Sequence, residues 1–467
     1  MARRGARDVP RSFSPVAICR GAQGLRFEGA RAQAFAQRGV GQGLLTHSSR
    51  GDARVACAMH RALRMSVTSA LTLSGLDLRT QRALQLMLKF VQRTGLILAE
   101  PGRRYLWTDA YAVCNLLSLE KATSEVEYTE LAARLVAAVH VTLGKHRSDD
   151  WREGWLSGLS DRGASEHPTW GGLRIGKPKP ERRWDEAYDE HAEWERDGQY
   201  FHYLTKWMHA LDQLARTTRQ PRYNRWAREL MSITWQAFAT EPKAGKPTRL
   251  VWKMSIDLTR PLVTSMGQHD ALDGYVTCVQ LQSTAALLGI EDDGPTLAEE
   301  RAGFESMLET SNWNTTDALG LGTVLTNAWR VGQLHQLEGA EFEENFLPSL
   351  LTSALEGLSQ FCQQNTLARP ASARLPFREL GLAVGLHALE RLRRLRLAAP
   401  RHLVPRDELE LLEALTPVIA MGSQLDAYWL APEHRDGTSW SEHRDINEVM
   451  LATSLCPGGY LDLTPLT

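Results

Sequence analysis

Between Gln268 and Asp273 the chain gathers an amide, an imidazole and two carboxylates, in the run Met-Gly-Gln-His-Asp-Ala-Leu-Asp-Gly-Tyr (266–275). Neighbouring carboxylates are raw material for acid–base chemistry: like charges at close range push their pKa values apart, leaving one group protonated and the other ionised near neutrality. The same residue types cap helices, because an Asp carboxylate accepts first-turn amides and favours the positive end of the helix dipole. One capping Asp therefore carries no function. Here, however, a polar knot ahead of an apolar helical run recurs. It appears again near Trp107-Thr108-Asp109, Asp197-Gly198-Gln199-Tyr200, Trp313-Asn314-Thr315-Thr316-Asp317, Phe377-Arg378-Glu379 and His443-Arg444-Asp445.

Helical periodicity supplies the elements that must position these knots. From about Leu78 two kinds of helix alternate. Amphipathic helices, such as the one carrying Tyr128, Leu131, Leu135, Val139 and Leu143 on one face, are expected near 78–95, 127–144, 221–239, 296–309, 345–365 and 407–420. Helices apolar nearly all round, or rich in small residues, are expected near 109–121, 199–216, 273–289, 317–335, 378–396 and 445–455. Six outer and six inner helices in strict alternation predict an all-α fold, an (α/α)6 barrel, in one domain over about 66–467. Long loops lead into the inner helices (146–196, 241–268 and 421–442) and carry most of the tryptophans. Loops of that length without structure of their own are commonly functional.

In this topology the N-termini of the inner helices converge on one mouth. Flat indole faces suit the C–H surfaces of sugar rings, and carboxylates and amides suit their hydroxyls. The candidate catalytic residues are Asp197, Asp273, Asp270 and His269. The candidate saccharide-binding residues are Trp107, Asp109, Trp170, Trp184, Gln199, Tyr200, His202, Trp252, Gln268, Trp313, Glu379, Trp440, His443 and Arg444. Asp109, Asp317 and Asp445 also read as plain caps, and His209, His387, Trp207 and Trp329 as core. The basic run Arg174, Lys177, Lys179, Arg182 and Arg183 is either a solvated loop face or a grip for an anionic sugar group.

Composition narrows the classes. A net charge of −1 offers no field for nucleic acid or an anionic membrane, and no window approaches a membrane span. The six cysteines are scattered singly, which fits a reducing, cytoplasmic compartment. No dinucleotide, P-loop, zinc-protease or nucleophile-elbow motif is present. The spacing of His269, Asp270 and Asp273 matches no standard metal site, so neither metal nor cofactor is expected. Residues 1–64 are Arg-rich and free of Lys. They read as a targeting leader or as upstream sequence before a start at Met59 or Met65, outside the barrel.

Hairpin count, tryptophan-rich loops and the motifs Asp-Gly-Gln-Tyr-Phe-His-Tyr (197–203) and Gly-Gln-His-Asp-Ala-Leu-Asp-Gly (267–274) carry a resemblance. Over about 78–455 the chain resembles the six-hairpin glycosidase superfamily, with its glucoamylase-like, unsaturated glucuronyl hydrolase-like and sugar 2-epimerase barrels. The resemblance implies a glycoside hydrolase-like enzyme acting on a saccharide, with acid and base carboxylates at the mouth. It also leaves open an epimerase or isomerase using lumen histidines, His202 with His269 or His443, and a non-catalytic carbohydrate-binding barrel.

Overall fold

The computed structural model describes residues 75–97, 102–240, 249–309 and 311–463. The leader read over 1–64 lies outside them. Main helices are numbered in chain order: α1 Leu78–Arg93, α2 Leu106–Thr123, α3 Glu127–Leu143, α4 Phe201–Thr218, α5 Pro221–Phe238, α6 Asp270–Leu288, α7 Ala298–Leu308. There follow α8 Ala318–Glu338, α9 Phe346–Gln363, α10 Pro376–Ala398, α11 Arg406–Leu415, α12 Ala420–Leu430, α13 Arg444–Leu455 and the short α14 Gly458–Leu461. Their ends follow local chemistry. Asp77 and Asp317 cap α1 and α8 through their side chains, Pro221 and Pro376 open α5 and α10, and left-handed Gly289 and Gly339 end α6 and α8.

Six of these helices close a ring. α2 packs on α4, α4 on α6, α6 on α8, α8 on α10, α10 on α13, and α13 returns to α2. They are buried on nearly every side. The second layer is laid over them: α1 covers α13 and α2, α3 covers α2 and α4, α5 covers α4 and α6, α7 covers α6, and α9 covers α8. The architecture is an all-α (α/α)6 barrel. Its tightest crossing, α8 on α10, depends on glycine. A Cβ at Gly322 would lie 2.1 Å from the Gly381 carbonyl oxygen, and one at Gly385 would lie 2.6 Å from the Gly322 Cα.

One outer position departs from expectation. The sixth outer helix, expected at 407–420, is split: α11 packs on α9, while α12 covers α10 and α13. Pro417 cannot continue α11, so the chain makes a 3-10 turn over Thr416–Val418 and starts again at Ala420. Half of the loop expected over 421–442 is therefore helix.

The C-terminal segment seals the ring opposite the mouth. Tyr460 stacks on Tyr111, with ring centroids 4.6 Å apart. The backbone oxygens of Gly459, Tyr460 and Leu461 accept bonds from Gln213, His209, Trp329 and Gln333 on α4 and α8. At the mouth, strands β1 Gln199–Tyr200, β4 Lys253–Met254 and β5 Pro261–Val263 form a small antiparallel sheet leading into α4. A separate hairpin pairs β2 Ala239–Thr240 with β3 Arg249–Leu250. No described helix is long and apolar enough to cross a membrane.

Candidate active site

The lumen is polar because three of the inner helices carry a polar stripe at three-to-four spacing. On α4 the stripe is His202, Lys206, His209 and Gln213; on α6 it is Asp273, Thr277, Gln280 and Thr284; on α8 it includes Asn327 and Arg330. These side chains satisfy one another. Lys206 Nζ pairs with Asp273 Oδ2 at 2.9 Å, and Asn327 donates to Asp273 Oδ1 at 2.7 Å. Below them Arg330 donates to Gln280 Oε1 at 2.6 Å, and Gln280 donates to Asp212. The deep lumen is thus filled, and above the Lys206–Asp273 pair the side chains of His202, Tyr203 and Lys206 keep partial exposure, at a vestibule.

Around that vestibule stand His202 and Tyr203 from α4, His269 at the start of α6, Asp317 ahead of α8, Phe377 and Arg378 from α10, and Trp107 from α2. Trp107 packs on Tyr111, Tyr203 and Phe377. His202 stacks on Trp252, which also stacks on Tyr200 and meets Trp194 edge-on. The Tyr105 and Tyr203 hydroxyls lie 2.7 Å apart.

The two imidazoles have complementary protonation. Trp252 Nε1 can only donate, and it donates to His202 Nδ1 at 3.3 Å, so the His202 proton sits on Nε2. Burial, with the Lys206 and Arg378 cations outweighing Asp273, pushes His202 down to about 3 and keeps it neutral. The Trp313 carbonyl can only accept, so His269 Nε2, 3.2 Å away, carries the proton and Nδ1 keeps a lone pair. Burial also lowers His269, against the Trp313 carbonyl and the Asp273 and Asp317 charges. The Lys206 and Asp273 charges act on both rings.

The two carboxylates of α6 are driven apart. Asp270 is 4% exposed and has no ion-pair partner among the described residues. Burial and the Asp273 charge raise it to about 7, against the Gly267 N–H, which donates to it at 3.0 Å, and Lys206. Burial would raise Asp273 too, but Lys206, Asn327 and Arg330 outweigh it and hold Asp273 below the usual carboxylate range.

Several residues expected at the site are held elsewhere. Asp197, the expected opposing carboxylate, is fully buried. Its oxygens accept from Arg174 at 2.6 Å, from Arg147 at 3.3 Å and from the amides of Gly176 and Gly198. It fastens the 146–196 loop to the barrel and leaves no oxygen for water or an anomeric carbon. Gln199 is spent on Leu173, Gly171 and Ile256 backbone groups. Asp109 sits beside Arg104 and accepts from the Tyr105 amide; burial raises it to about 6. Glu379 is gripped by the Arg374 fork and by Trp429 Nε1.

Among the aromatics, Trp440 stacks on Trp429, which contacts Glu379 away from the vestibule. Trp184 is 86% exposed, and Trp170 is half exposed beside His167. Trp313 and Gln268 join the His269 turn to the loop before α8: Trp313 by its carbonyl, Gln268 through Asn312 and Asn314 oxygens. His443 is exposed, edge-on to Phe377, and Arg444 pairs with Glu448.

In the basic run, Arg174, Lys179, Arg182 and Arg183 each bind a carboxylate of this chain. Lys177 has no ion pair among the described residues and lies over the Tyr105 ring. No described group of three or more His, Cys, Asp or Glu is arranged to hold a metal ion.

Two concavities lie elsewhere. One, of about 390 Å³, lies between α6, α7 and α9 beside Trp313 and Phe346. The other, of about 470 Å³, is at the opposite end beside Arg79 and Cys456. Neither brings both imidazoles to the Lys206–Asp273 pair, as the vestibule does.

Ring and vestibule together define a helical (α/α)6 barrel with a polar pocket at the N-termini of its inner helices. No protein-family description matches the chain, and no curated protein is significantly similar to it. Among solved structures it is similar to the GH76A alpha-1,6-mannanase from Salegentibacter sp. HEL1_6, with 12% identity and a TM-score of 0.45. That likeness spans 81% of this chain and 98% of the mannanase chain. It is too distant to transfer a residue or a reaction.

Proposed function

We propose that the protein is a carbohydrate-active enzyme that binds a saccharide in the vestibule and moves a proton on it through His269 and His202. One observation carries this reading: the two imidazoles are neutral and complementary, one with a lone pair and one with an N–H left unbonded among the described residues. His269 Nδ1 takes the proton from the carbon beside the carbonyl of an open-chain sugar. His202 Nε2–H bonds the carbonyl oxygen as negative charge develops there, and the Lys206 ammonium adds to that stabilisation. The His202 lone pair is occupied by Trp252, so of the two imidazoles it is His269 that acts as the base. A single base delivers the proton, on the same face, to the former carbonyl carbon, while the hydroxyl proton of the neighbouring carbon passes to the former carbonyl oxygen; that is aldose–ketose isomerisation rather than epimerisation.

Glycosidic hydrolysis is the second reading, and the split between Asp270 and Asp273 favours it. Asp270 near 7 would protonate the leaving oxygen, with Asp273 ionised beside it. The test is a panel of aldoses and oligosaccharides incubated in D2O and followed by NMR. Isomerisation places deuterium beside the carbonyl, and His269→Gln lowers that exchange by roughly 100-fold or more. New reducing ends without carbon exchange would overturn the imidazole reading in favour of hydrolysis. Neither signal across the panel would point to a non-catalytic barrel.

A further inference from the structure

Arg378 stands in the first turn of α10, the inner helix opposite α4 across the ring. Its guanidinium is held from one side. Nη1 donates to Asp317 Oδ1 at 2.5 Å, and Asp317 is fixed in turn as the cap of α8 through the Gly320 amide at 2.9 Å. The other edge, Nε with Nη2, has no partner among the described residues, although Nε is shielded from solvent. Nε–H and Nη2–H point in parallel, the fork that matches two oxygens of a carboxylate or phosphate.

Two nearby arginines show that edge in use. Arg374 gives Nε and Nη2 to the two oxygens of Glu379, and Arg93 gives them to Asp445 and Glu448. Arg435 also has an unbonded Nε, but it lies on an outer loop, and Arg225 Nε, on an outer helix, has Glu229 at 3.7 Å. Arg378 differs in place. Its charge acts on His202 and Tyr203 across the vestibule, and its side chain is 40% exposed. A buried donor without a partner is uncommon enough to need an explanation.

The surrounding charges fit an anion. Asp273 and Asp317 are each tied to a cation of the vestibule, Lys206 and Arg378. Lys177, over Tyr105 and without an ion pair, adds a positive charge on the side where Tyr105 meets Tyr203. The basic run that suggested an anion grip in sequence is otherwise consumed internally.

We infer that the saccharide taken by the vestibule carries an anionic group, a carboxylate or a phosphate, that closes on the Nε/Nη2 edge of Arg378. Asp317 is the positioning residue that turns this edge inward. The inference rests on the vestibule being a saccharide site.

Calorimetric titration of the full chain with glucose, glucuronate and glucose 6-phosphate tests it, with inorganic phosphate as competitor. Binding of at least one anionic sugar about tenfold or more tighter than glucose is expected. Competition by phosphate, or its lack, separates the phosphate source from the carboxylate source. Arg378→Lys keeps the charge and loses the fork, so it should fall to the glucose level while melting as wild type does. Asp317→Asn still caps α8 but releases the guanidinium, and should lose several-fold of the preference for the anion. Equal binding of all three sugars would overturn the inference and leave the saccharide reading standing. A preference that survives Arg378→Lys and Asp317→Asn would move the anion elsewhere and overturn it too. Binding of none of the three would count against both.

Discussion

Asp270→Asn should stabilise the protein, and by an amount that depends on pH. The Asp270 carboxyl is 4% exposed and receives a single bond, from the Gly267 amide at 3.0 Å, with Asp273 one turn on. Its folded pKa of about 7 stands against an ordinary 3.8. Below about pH 4 both folded and unfolded chains hold the proton, and the group contributes nothing. Between about 4 and 7 the folded chain holds a proton that the unfolded chain has released, so stability falls as pH rises. Above 7 the penalty is complete. At about 1.4 kcal/mol per pKa unit it reaches at most about 4 kcal/mol. Asn keeps an oxygen for the Gly267 amide and carries no charge, so it removes the penalty. With an unfolding entropy of about 2.1 cal/mol/K per residue, 1 kcal/mol moves the Tm of a chain this long by roughly 1 °C. Thermal melts should therefore show the variant level with wild type at pH 4 and roughly 2–4 °C above it at pH 8. A constant difference, or one that grows toward low pH, would refute the assignment of a buried, near-neutral carboxyl. The same variant divides the two reactions: isomerisation through His269 survives it, and hydrolysis through Asp270 does not.

Lys206→Met strands the Asp273 carboxylate in the lumen, and losing one partner of a buried ion pair costs about 3–5 kcal/mol. Urea melts should show that loss, with part of it recovered in the Lys206→Met/Asp273→Asn double variant; additive losses would mean the pair is not coupled. Asp197→Asn should lower stability by about 1–3 kcal/mol, because Arg174 and Arg147 lose their charge partner, yet leave turnover per folded molecule unchanged. A folded Asp197→Asn protein without activity would return Asp197 to the catalytic set.

The helix ring was legible because it is written redundantly. Each inner helix is apolar on most faces, and Gly322, Gly381 and Gly385 announce a crossing too close for side chains. The sixth outer helix slipped by about a dozen residues because periodicity continues through Thr416–Val418, where only the missing N–H of Pro417 interrupts it. The carboxylates were harder. A polar residue at a helix N-terminus looks the same in sequence whether it turns into the lumen or back into its own loop. Asp197 and Asp273 share that setting, and their fates differ because Arg174 and Arg147 arrive from a loop whose path no local pattern predicts.

What does distinguish them lies further along each helix. Asp273 continues as Thr277, Gln280 and Thr284, and His202 as Lys206, His209 and Gln213, polar groups at helical spacing on otherwise apolar helices. Such a stripe is expensive in a core unless it faces other stripes, so in a ring of six helices it must mark the lumen side. Asp197 and Gln199 precede α4, where no such stripe constrains them, and Glu379 and Asp109 are followed by apolar residues at the lumen spacing. The stripe rule therefore selects His202, Lys206 and Asp273 and discards Asp197, Glu379 and Asp109 without coordinates. It also joins Lys206 to the site, a residue that is unremarkable when helix N-termini alone are read. Arg378 escapes the rule, because it stands ahead of an apolar stretch like Glu379 beside it. Only its pairing with Asp317 in three dimensions shows that one arginine edge is left unbonded among the described residues.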